Sequence, residues 1–375
     1  MRWNSWLSRW LVSLVLLGLL WLIETACSQS NVTLRVVAAN LTSGNNQRYE
    51  TPGLNILQGL RPDIVALQEF NYASTGSAGL NTPAAFREML DRTFGPDFVY
   101  YREAGYNIPN GIISRYPMIA SGSWVDSDAG VNDRGFAWAR IDVPGTNDLY
   151  VVSVHLKASN SGSDVTRRAA QAAELRALIA TNFPADAWIV LAGDFNIYSE
   201  DEPAVATLRT FVSDTPVPTD LHGNPNTNQG RNRRYDRVLV SFPLTNSLTP
   251  VVLPSHTLAD GLVFVSTNYA PLSDVPPVQF GDSIVSGMQH LAVVKDFKFT
   301  LEAGSLVPPP TLALSEAGVL RWRGLSNVTY TVQMTTNLAF KNWLTLGTAT
   351  STGTELFFTN APSTEAQRFY RVIYP

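Results

Sequence analysis

The sequence has a single cysteine and no large excess of either positive or negative charge. Cys27 is the only cysteine among 375 residues, which excludes an internal disulfide and a structural zinc site built from several thiolates. With 27 basic and 31 acidic residues the formal net charge is -4, so no overall positive field draws the protein to nucleic acid. A polyanionic substrate must therefore meet a local basic patch or bound cations. The sequence also lacks internal repeats and low-complexity tracts.

Residues 1–30 have the layout of an export signal. Two arginines precede an apolar run, Trp10–Ile23, and a stretch of small residues follows it. The run is short for a membrane-spanning helix, which needs about 20 apolar residues. We therefore expect an exported bacterial protein, located in the periplasm, at the cell surface or outside the cell.

Cys27 lies just after the end of this apolar run. Its position resembles that of the lipidated cysteine in a bacterial lipoprotein signal, which would attach the mature protein to a membrane. Glu24, however, occupies a position where that signal usually has an apolar residue. Plain cleavage after Ser28 is therefore the alternative. In both cases the mature protein depends on its core, and not on disulfides, for stability.

Residues 31–304 alternate short β-branched runs with turn-rich and helical stretches. Strands are predicted at Thr33–Ala38, Ile64–Leu67, Gly111–Ser114, Phe136–Ile141, Leu149–Val154, Trp188–Ala192, Arg237–Ser241 and Leu291–Phe297. Helices are predicted at Pro83–Thr93 and at Val165–Thr181, the second with Asp164 as its cap. Strands and helices mixed along one region indicate a single layered α/β or α+β domain.

The remaining residues differ in character. Residues 305–310 contain three consecutive prolines and are predicted to form a semi-rigid linker. Residues 311–375 have almost no helical pattern. Strands are predicted there at Val319–Trp322, Thr329–Met334, Trp343–Thr348, Leu356–Thr359 and Phe369–Ile373. This pattern is typical of a small all-β sandwich, which we expect to serve attachment or stability.

Several apolar runs of the larger region end on a side chain that can ligate a cation or transfer a proton. These side chains are Asn40, Glu69, His155 and Asp194, with Asn196 two residues after the last. His290 instead begins an apolar run, so it would lie beside the other strand ends if its strand were antiparallel to a neighbour. We therefore expect these groups to meet at one rim of the domain.

Such a set of groups suits a restricted chemistry. Carboxylate and amide oxygens are hard ligands for Mg²⁺, Mn²⁺ or Ca²⁺. A histidine beside a carboxylate can transfer protons near neutral pH, and Asp236 could orient one of the imidazoles. Each residue alone has an ordinary explanation as a turn residue or ion-pair partner. However, the chain has only 4 histidines and two of them lie at these junctions, so together they indicate phosphoester hydrolysis.

The order of the motifs resembles that of a known superfamily. The matching segments are Ala39–Leu41, Leu67–Phe70, Ile113–Pro117, Val154–Lys157, Gly193–Asn196 and Tyr235–Leu239. They resemble the endonuclease/exonuclease/phosphatase superfamily, which includes pancreatic-type deoxyribonucleases, abasic-site endonucleases, inositol-phosphate phosphatases and bacterial sphingomyelinases. The resemblance covers residues 31–302. It implies an α+β fold in the form of a four-layered α/β sandwich, with two packed mixed β-sheets flanked by helices.

The resemblance also implies a metal side of the site. Glu69 would be the principal ligand of a divalent cation, most simply Mg²⁺, with Asn40 close to the same ion. Gln289 stands where the family usually has the carboxylate of a Ser-Asp-His element. An amide oxygen can still ligate a hard cation but brings no charge, so weaker cation binding or reliance on one metal ion is expected.

The catalytic roles follow from the same resemblance. Asp194 and Asn196 would position the nucleophilic water and the scissile phosphate. His155 would contact the phosphate and protonate the leaving group. Asp236 and His290 would form a pair that activates water or stabilises the pentavalent transition state.

Substrate signals in the sequence are thinner. Lys157 and Arg234 are candidate phosphate contacts, and further arginines at 167, 168, 231, 233 and 237 could form a basic surface. We expect a phosphodiesterase, most simply a nuclease on DNA or RNA, with no obligate protein partner. The alternative is an inositol-phosphate phosphatase or a sphingomyelinase-type phospholipase C, and hydrophobic residues within 260–285 keep the lipid substrate open. Gln289 keeps open a non-catalytic binding protein on the same scaffold.

Overall fold

The computed structural model describes residues 30–72, 81–128, 131–145 and 147–301, and, nearer the C-terminus, 312–315, 318–323, 329–336, 343–350, 355–359 and 367–373. Cys27, almost all of the predicted signal and the predicted proline linker lie outside these ranges. None of the described helices is long and apolar enough to cross a membrane.

The first β-sheet is built from strands at both ends of the larger region. Its strands are β1 (Ser30–Ala39), β2 (Ile64–Leu67), β3 (Val99–Arg102), β4 (Gly111–Ser114), β11 (Leu248–Thr249), β14 (Leu262–Val263) and β15 (Val293–Leu301). The order is β11-β15-β1-β2-β4-β3, with β14 also paired to β15. Strands β1 and β2 are parallel and the other pairs are antiparallel, so the sheet is mixed.

The second β-sheet takes the middle of the chain. Its strands are β5 (Met118–Trp124), β6 (Phe136–Ile141), β7 (Leu149–His155), β8 (Trp188–Asp194), β9 (Val212–Ser213) and β10 (Asp236–Ser241). They run in the order β5-β6-β7-β8-β10-β9, and only β7 and β8 are parallel. A separate hairpin is formed by β12 (Val251–Leu253) and β13 (His256–Leu258).

Side chains on the central strands alternate between the two faces of a sheet, and both faces are buried. Val36 and Ala38 of β1 pack in the core between the two sheets, together with Val190 and Val238 of the second sheet. Val37, in contrast, faces the helices α1 (Thr51–Leu60) and α2 (Pro83–Thr93). Helices α3 (Gly162–Asn182) and α4 (Pro203–Leu208) cover the outer face of the second sheet. The predicted four-layered α/β sandwich is therefore confirmed.

Strands at 64–67, 111–114 and 136–141 and helix α2 have the predicted bounds. The predicted cap of α3 is wrong: Ser161 is the N-cap, and Asp164 is the third helical residue, whose side chain accepts from the N–H of Ser161. Helix α1 is missing from the prediction because its glycines weaken the helical signal. A Cβ at Gly53 would lie 2.3 Å from the carbonyl oxygen of Leu41, so close packing requires glycine there.

The region beyond residue 311 contains small antiparallel sheets, as predicted. One sheet has the order β16 (Ala313–Leu314), β17 (Val319–Arg323), β20 (Glu355–Thr359). The other has the order β19 (Leu344–Thr350), β18 (Thr329–Thr335), β21 (Phe369–Ile373). Trp322, Tyr330 and Val332 are buried in the core of this module.

Candidate active site

Strand register brings three of the predicted residues together. Strands β7 and β8 are parallel, so their carboxyl ends meet at one edge, where His155 pairs with Asp194. Strand β10 is antiparallel to β8 and therefore begins at the same edge, where Asp236 pairs with Asp194. The three side chains lie side by side at the rim of the second sheet and are buried.

The first sheet supplies the facing half of the rim. Asn40 follows β1 and Glu69 follows the parallel strand β2 by two residues. His290 precedes β15, which is antiparallel to β1, as the sequence analysis expects. The Nδ2 atom of Asn40 lies 3.4 Å from Oδ2 of Asp194 and connects the two halves.

The two sheets are fixed to each other beneath this rim. Gln68 donates from Nε2 to Oγ of Ser153 at 2.9 Å, and that hydroxyl donates to the carbonyl of Leu67 at 2.7 Å. Gly193 faces Gln68 with a φ of 140°, and a Cβ there would lie 2.6 Å from Nε2 of Gln68. Only glycine fits this approach, which explains the glycine directly before Asp194.

Asp194 is the centre of the polar cluster. Its Oδ2 lies 3.3 Å from Nε2 of His155 and 3.5 Å from Nε2 of His290. Asn196 donates to it twice, from the backbone N–H to Oδ1 at 2.8 Å and from Nδ2 to Oδ2 at 3.1 Å. Burial, helped by Asp236, raises the pKa of Asp194 to about 6 against the opposing charge of His290.

The two histidines have opposite protonation states. Nδ1 of His290 lies 3.0 Å from Oδ2 of Asp236 while Nε2 faces Asp194, so both nitrogens carry a proton. Burial lowers the pKa of His290, but the carboxylates of Asp236, Asp194 and Glu69 outweigh it and raise the pKa to about 10. Burial, with the positive charges of Arg134 and His290, lowers the pKa of His155 well below its usual value, so that ring is neutral.

Asn40 and Glu69 have the properties expected of a hard cation site. Glu69 is 8% exposed, and one of its carboxylate oxygens accepts from Oγ1 of Thr42 at 2.7 Å. Oδ1 of Asn40 is buried and has no hydrogen-bond partner among the residues that the structure describes. A buried carboxylate beside an orphaned amide oxygen fits a divalent cation.

A second arrangement could also hold a metal. Asp194, Asp236 and His290 each place a ligand atom within 4.8 Å of the others. Both nitrogens of His290 already face carboxylates, however, and a protonated imidazole offers no lone pair to a metal. The Asn40 and Glu69 oxygens are therefore the better donors.

Three predicted residues have different surroundings. The Arg234 guanidinium pairs with Asp214 and with Glu200, and its role as a phosphate contact stays a prediction. The Lys157 ammonium donates to the carbonyl of Ala158 at 2.9 Å and lies 3.3 Å from Asp164. Gln289 is exposed, and its backbone carbonyl accepts from the N–H of Gln229.

The expected basic surface is also largely neutralised. Arg168 is fully buried and pairs with Glu202 through two contacts of 2.8 and 2.9 Å. Arg237 pairs with Asp214 and Glu200, and Arg231 with Asp220. These guanidiniums stabilise loops around the site and are not free for a polyanion.

Arg134 is a site residue that is absent from the sequence prediction. It is 8% exposed and pairs with Asp133 at 3.0 Å. Its charge lowers the pKa values of both His155 and Asp194. The next residue, Gly135, is held by Glu103, which accepts from its N–H at 3.2 Å, and by Asn110, which donates to its carbonyl at 2.7 Å. Arg134 lies just before the predicted strand 136–141, beside the end of β7. That position is the signal in the sequence that could have identified Arg134.

Comparison with known proteins agrees with this architecture. A family model described as Endonuclease/Exonuclease/phosphatase family matches residues 54–274. The chain belongs to this family. It is therefore a phosphoesterase, of a family that typically depends on divalent metal ions, and the resemblance seen in the sequence motifs is confirmed. A search of curated proteins found no match.

Solved structures of similar fold come from several organisms. An endonuclease/exonuclease/phosphatase from Beutenbergia cavernae DSM 12333 is 18% identical with a TM-score of 0.49, covering 91% of this chain and 100% of that chain. An AP endonuclease from Archaeoglobus fulgidus is 15% identical with a TM-score of 0.44, covering 70% and 99%. A 3′ phosphatase from Neisseria, bound to a product DNA hairpin, is 18% identical with a TM-score of 0.44, covering 70% and 99%.

Proposed function

We propose that this protein is an exported, divalent-metal-dependent phosphodiesterase that cleaves nucleic acid. The observation that supports it most directly is the position of Asp194 between a neutral imidazole, His155, and an imidazolium, His290. This arrangement places a proton acceptor beside a fixed positive charge, and both are needed to add water to a phosphoester.

The charge of the site suits a diester better than a monoester. Its buried carboxylates are Glu69, Asp194 and Asp236, and its buried cations are His290 and Arg134, which also pairs with Asp133. With one divalent cation bound, these groups leave little positive charge in excess. A phosphodiester has a single negative charge, whereas a phosphomonoester or an inositol polyphosphate brings more.

Glu69 and Asn40 would hold the cation, Mg²⁺ in the simplest case and Mn²⁺ or Ca²⁺ as alternatives. When bound, the ion supplies electrophilic stabilisation of the phosphoryl oxygens. Gln289 is the candidate for a further neutral ligand, and its side chain is exposed.

The remaining residues of the rim act on water and phosphate. Asn196 orients the substrate oxygen, and the Asp194 carboxylate accepts a proton from water. The water oxygen then bonds to phosphorus, the bond to the leaving oxygen breaks, and solvent protonates that oxygen. His290, which both carboxylates keep protonated, stabilises the pentavalent transition state, so Asp236 orients it and does not activate water through it.

His155 has a more limited role in this proposal. Because its ring is neutral and Nε2 faces Asp194, Nδ1 has no proton for the leaving group, and it is buried without a partner among the described residues. His155 therefore orients Asp194. Arg134 pairs with Asp133, but its charge also acts on both His155 and Asp194, so it joins Arg234 and Lys157 as a candidate phosphate contact.

A substrate panel tests the proposal. Purified protein is incubated with plasmid DNA, RNA, an inositol phosphate and sphingomyelin, each with Mg²⁺ and with a chelator. We expect metal-dependent cleavage of nucleic acid that Glu69→Gln and His290→Ala abolish. Absence of metal-dependent turnover on every substrate, with both variants identical to the wild type, would favour the non-catalytic binding protein.

One observation favours a second candidate, a sphingomyelinase-type phospholipase C. Phe280 is 75% exposed and Ile284 is 52% exposed in the segment that precedes His290. Exposed apolar side chains of this kind can insert into a lipid surface. Release of a phosphorylated headgroup from sphingomyelin vesicles, without cleavage of nucleic acid, would establish this alternative.

Export and domain division are proposed on sequence grounds. Residues 1–30 would direct export, with lipidation of Cys27 or cleavage after Ser28, and 305–310 would link catalytic residues 31–304 to an accessory module at 311–375. Mass spectrometry of the mature N-terminus after cell fractionation tests the first point. An intact Met1 in the cytoplasmic fraction would contradict export.

A further inference from the structure

A cavity lies beside the segment that holds His290. Its volume is about 280 Å³, and Leu291, the residue after His290, forms part of its wall. Gln229 is another lining residue, and its N–H donates to the carbonyl of Gln289 at 2.8 Å. The neighbouring Asn228 forms a β-bridge with His290. The cavity is therefore joined by backbone contacts to the catalytic rim.

One wall of the cavity is organised around Asp220. Its Oδ1 accepts from the N–H groups of His222 and Asn224, both at 2.9 Å. Its Oδ2 accepts from Arg231 and, at 2.9 Å, from Nδ2 of Asn268. The carboxylate is thus saturated with donors, and it neutralises the only arginine among the described residues that line the cavity.

Two hydrogen-bonding atoms of this wall remain unused. Nη1 of Arg231 and Oδ1 of Asn268 are buried and have no partner among the described residues. Arg231 also has a φ of 54°, a left-handed conformation that is unfavourable for a non-glycine residue. Asn226 helps to hold it there by donating from Nδ2 to its carbonyl at 3.1 Å. The wall therefore combines a fixed donor, a fixed acceptor and no net charge.

The remaining lining is mixed. Val265, Ile284 and Leu291 contribute aliphatic side chains, and Ile284 is 52% exposed. The other lining residues are polar: His222, Asn224, Gln229, Thr267 and Ser283. Aliphatic surface beside several fixed polar groups suits a flat, neutral ring that presents hydrogen-bonding atoms at its edge. A volume of about 280 Å³ has room for one such ring.

We propose that this cavity receives a nucleobase of the substrate, next to the phosphate that is cleaved. The proposal rests on the proposed function and narrows it. A choline headgroup would need aromatic faces or a free carboxylate, whereas no Phe, Tyr or Trp is among the described lining residues and Asp220 is saturated. Additional phosphates of an inositol polyphosphate would need free cations, whereas Arg231 is paired.

The test compares two esters with the same leaving group. One is the p-nitrophenyl ester of thymidine 5′-phosphate and the other is methyl p-nitrophenyl phosphate, which has no base. Ile284→Trp fills the cavity. The matched control is Ile119→Trp, because Ile119 on strand β5 is also 52% exposed and is not a lining residue.

We expect Ile284→Trp to lower kcat/KM for the thymidine ester about tenfold or more while the methyl ester changes less than twofold. Ile119→Trp should leave both values unchanged. Asn268→Ala, which removes the unused acceptor, should lower kcat/KM about fivefold for the thymidine ester and leave the methyl ester unaffected. Equal loss on both esters, or no loss on the thymidine ester, would overturn the nucleobase proposal.

Failure of the proposed function gives a different pattern. If the wild type hydrolyses the methyl ester but shows no preference for the thymidine ester, the protein is a phosphoesterase and the nucleobase proposal is wrong. If neither ester is hydrolysed, calorimetric titration with thymidine 5′-monophosphate tests binding in the cavity without turnover. Binding that Ile284→Trp removes and Ile119→Trp retains supports the cavity, and absence of binding to the wild type overturns it.

Discussion

The Nδ1 atom of His290 lies 3.0 Å from Oδ2 of Asp236, although the two residues belong to different sheets. Asp236 begins strand β10 and His290 precedes strand β15, so the contact forms only when the sheets pack. The pair fixes the orientation of the imidazole and keeps it positively charged.

Replacement of Asp236 tests this pair. Asp236→Asn should lower kcat on the order of 100-fold, because the His290 imidazolium loses the negative charge that lies closest to it. The double variant with His290→Gln should be no slower than His290→Gln alone, since the two residues act together. Asp260→Asn, at an exposed aspartate, is the control. Independent, multiplicative losses would contradict coupling of the two residues.

Removal of the Glu69 charge should weaken cation binding. We expect Glu69→Gln to raise the Mn²⁺ dissociation constant, measured by electron paramagnetic resonance, about tenfold or more. This readout does not depend on turnover. Glu88→Gln, at an exposed glutamate of helix α2, should bind Mn²⁺ as the wild type does. Unchanged Mn²⁺ affinity in Glu69→Gln would place the cation elsewhere.

Arg134 should contribute mainly to phosphate affinity. Loss of a charge-assisted hydrogen bond costs about 1.5–3 kcal/mol, so Arg134→Met should lower kcat/KM roughly 10- to 100-fold. Inorganic phosphate should inhibit this variant less strongly than the wild type, and Arg134→Lys should recover part of both effects. Arg140→Met, at an exposed arginine of strand β6, is the control. Unaltered inhibition by phosphate in Arg134→Met would exclude the contact.

Arg168 should be a stability residue. Besides its two contacts with Glu202, it donates to the carbonyls of Lys157 and Ser159, at 2.9 and 2.6 Å. Arg168→Met leaves the Glu202 carboxylate buried and unpaired, which should cost about 3–5 kcal/mol in urea unfolding.

The neighbouring arginine provides the control for this variant. Arg167, with 38% of its side chain exposed, should change the free energy of unfolding by less than about 0.5 kcal/mol when replaced by Met. Adding Glu202→Gln to Arg168→Met should restore part of the loss, because the uncompensated charge is removed. If the double variant lost as much free energy of unfolding as the two single variants added together, an ion pair would not be the cause.

Lys295 should make stability depend on pH in the alkaline range. It is 2% exposed on strand β15, and Nζ has no hydrogen-bond partner among the described residues. Burial lowers its pKa from 10.5 to about 8, against the opposing effect of Asp214. The unfolded chain therefore holds this proton more tightly, so stability should rise as pH increases from about 8 toward 10.5.

Replacement of Lys295 by methionine isolates this contribution. At pH 7, where both states are protonated, Lys295→Met should raise the free energy of unfolding by up to about 3 kcal/mol. The gain over the wild type should shrink toward pH 10. Lys298→Met, at an exposed lysine of the same strand, should show neither effect. A difference that is constant with pH would exclude titration of Lys295.

The sequence by itself determined most of the fold and the membership of the site. Short β-branched apolar runs located the central strands, and the residues at their ends, from Asn40 to His290, identified the rim because strand ends reach solvent on a rigid element. It could not locate helix α1, whose glycines are explained only by contacts with distant segments. It also missed strand β5, which is an edge strand with half-exposed and exposed residues in an irregular pattern.

The tertiary structure alone decided which charges are free. The sequence suggested Arg234 as a phosphate contact and Arg168 as part of a basic surface, but acidic residues from other segments neutralise them. Other neighbours give the two histidines different charges. The carboxylates of Asp236, Asp194 and Glu69 outweigh burial and keep His290 cationic, whereas burial and nearby positive charge keep His155 neutral. A residue type sets what a side chain can do, whereas burial and charges brought from distant parts of the chain set its protonation and its partners.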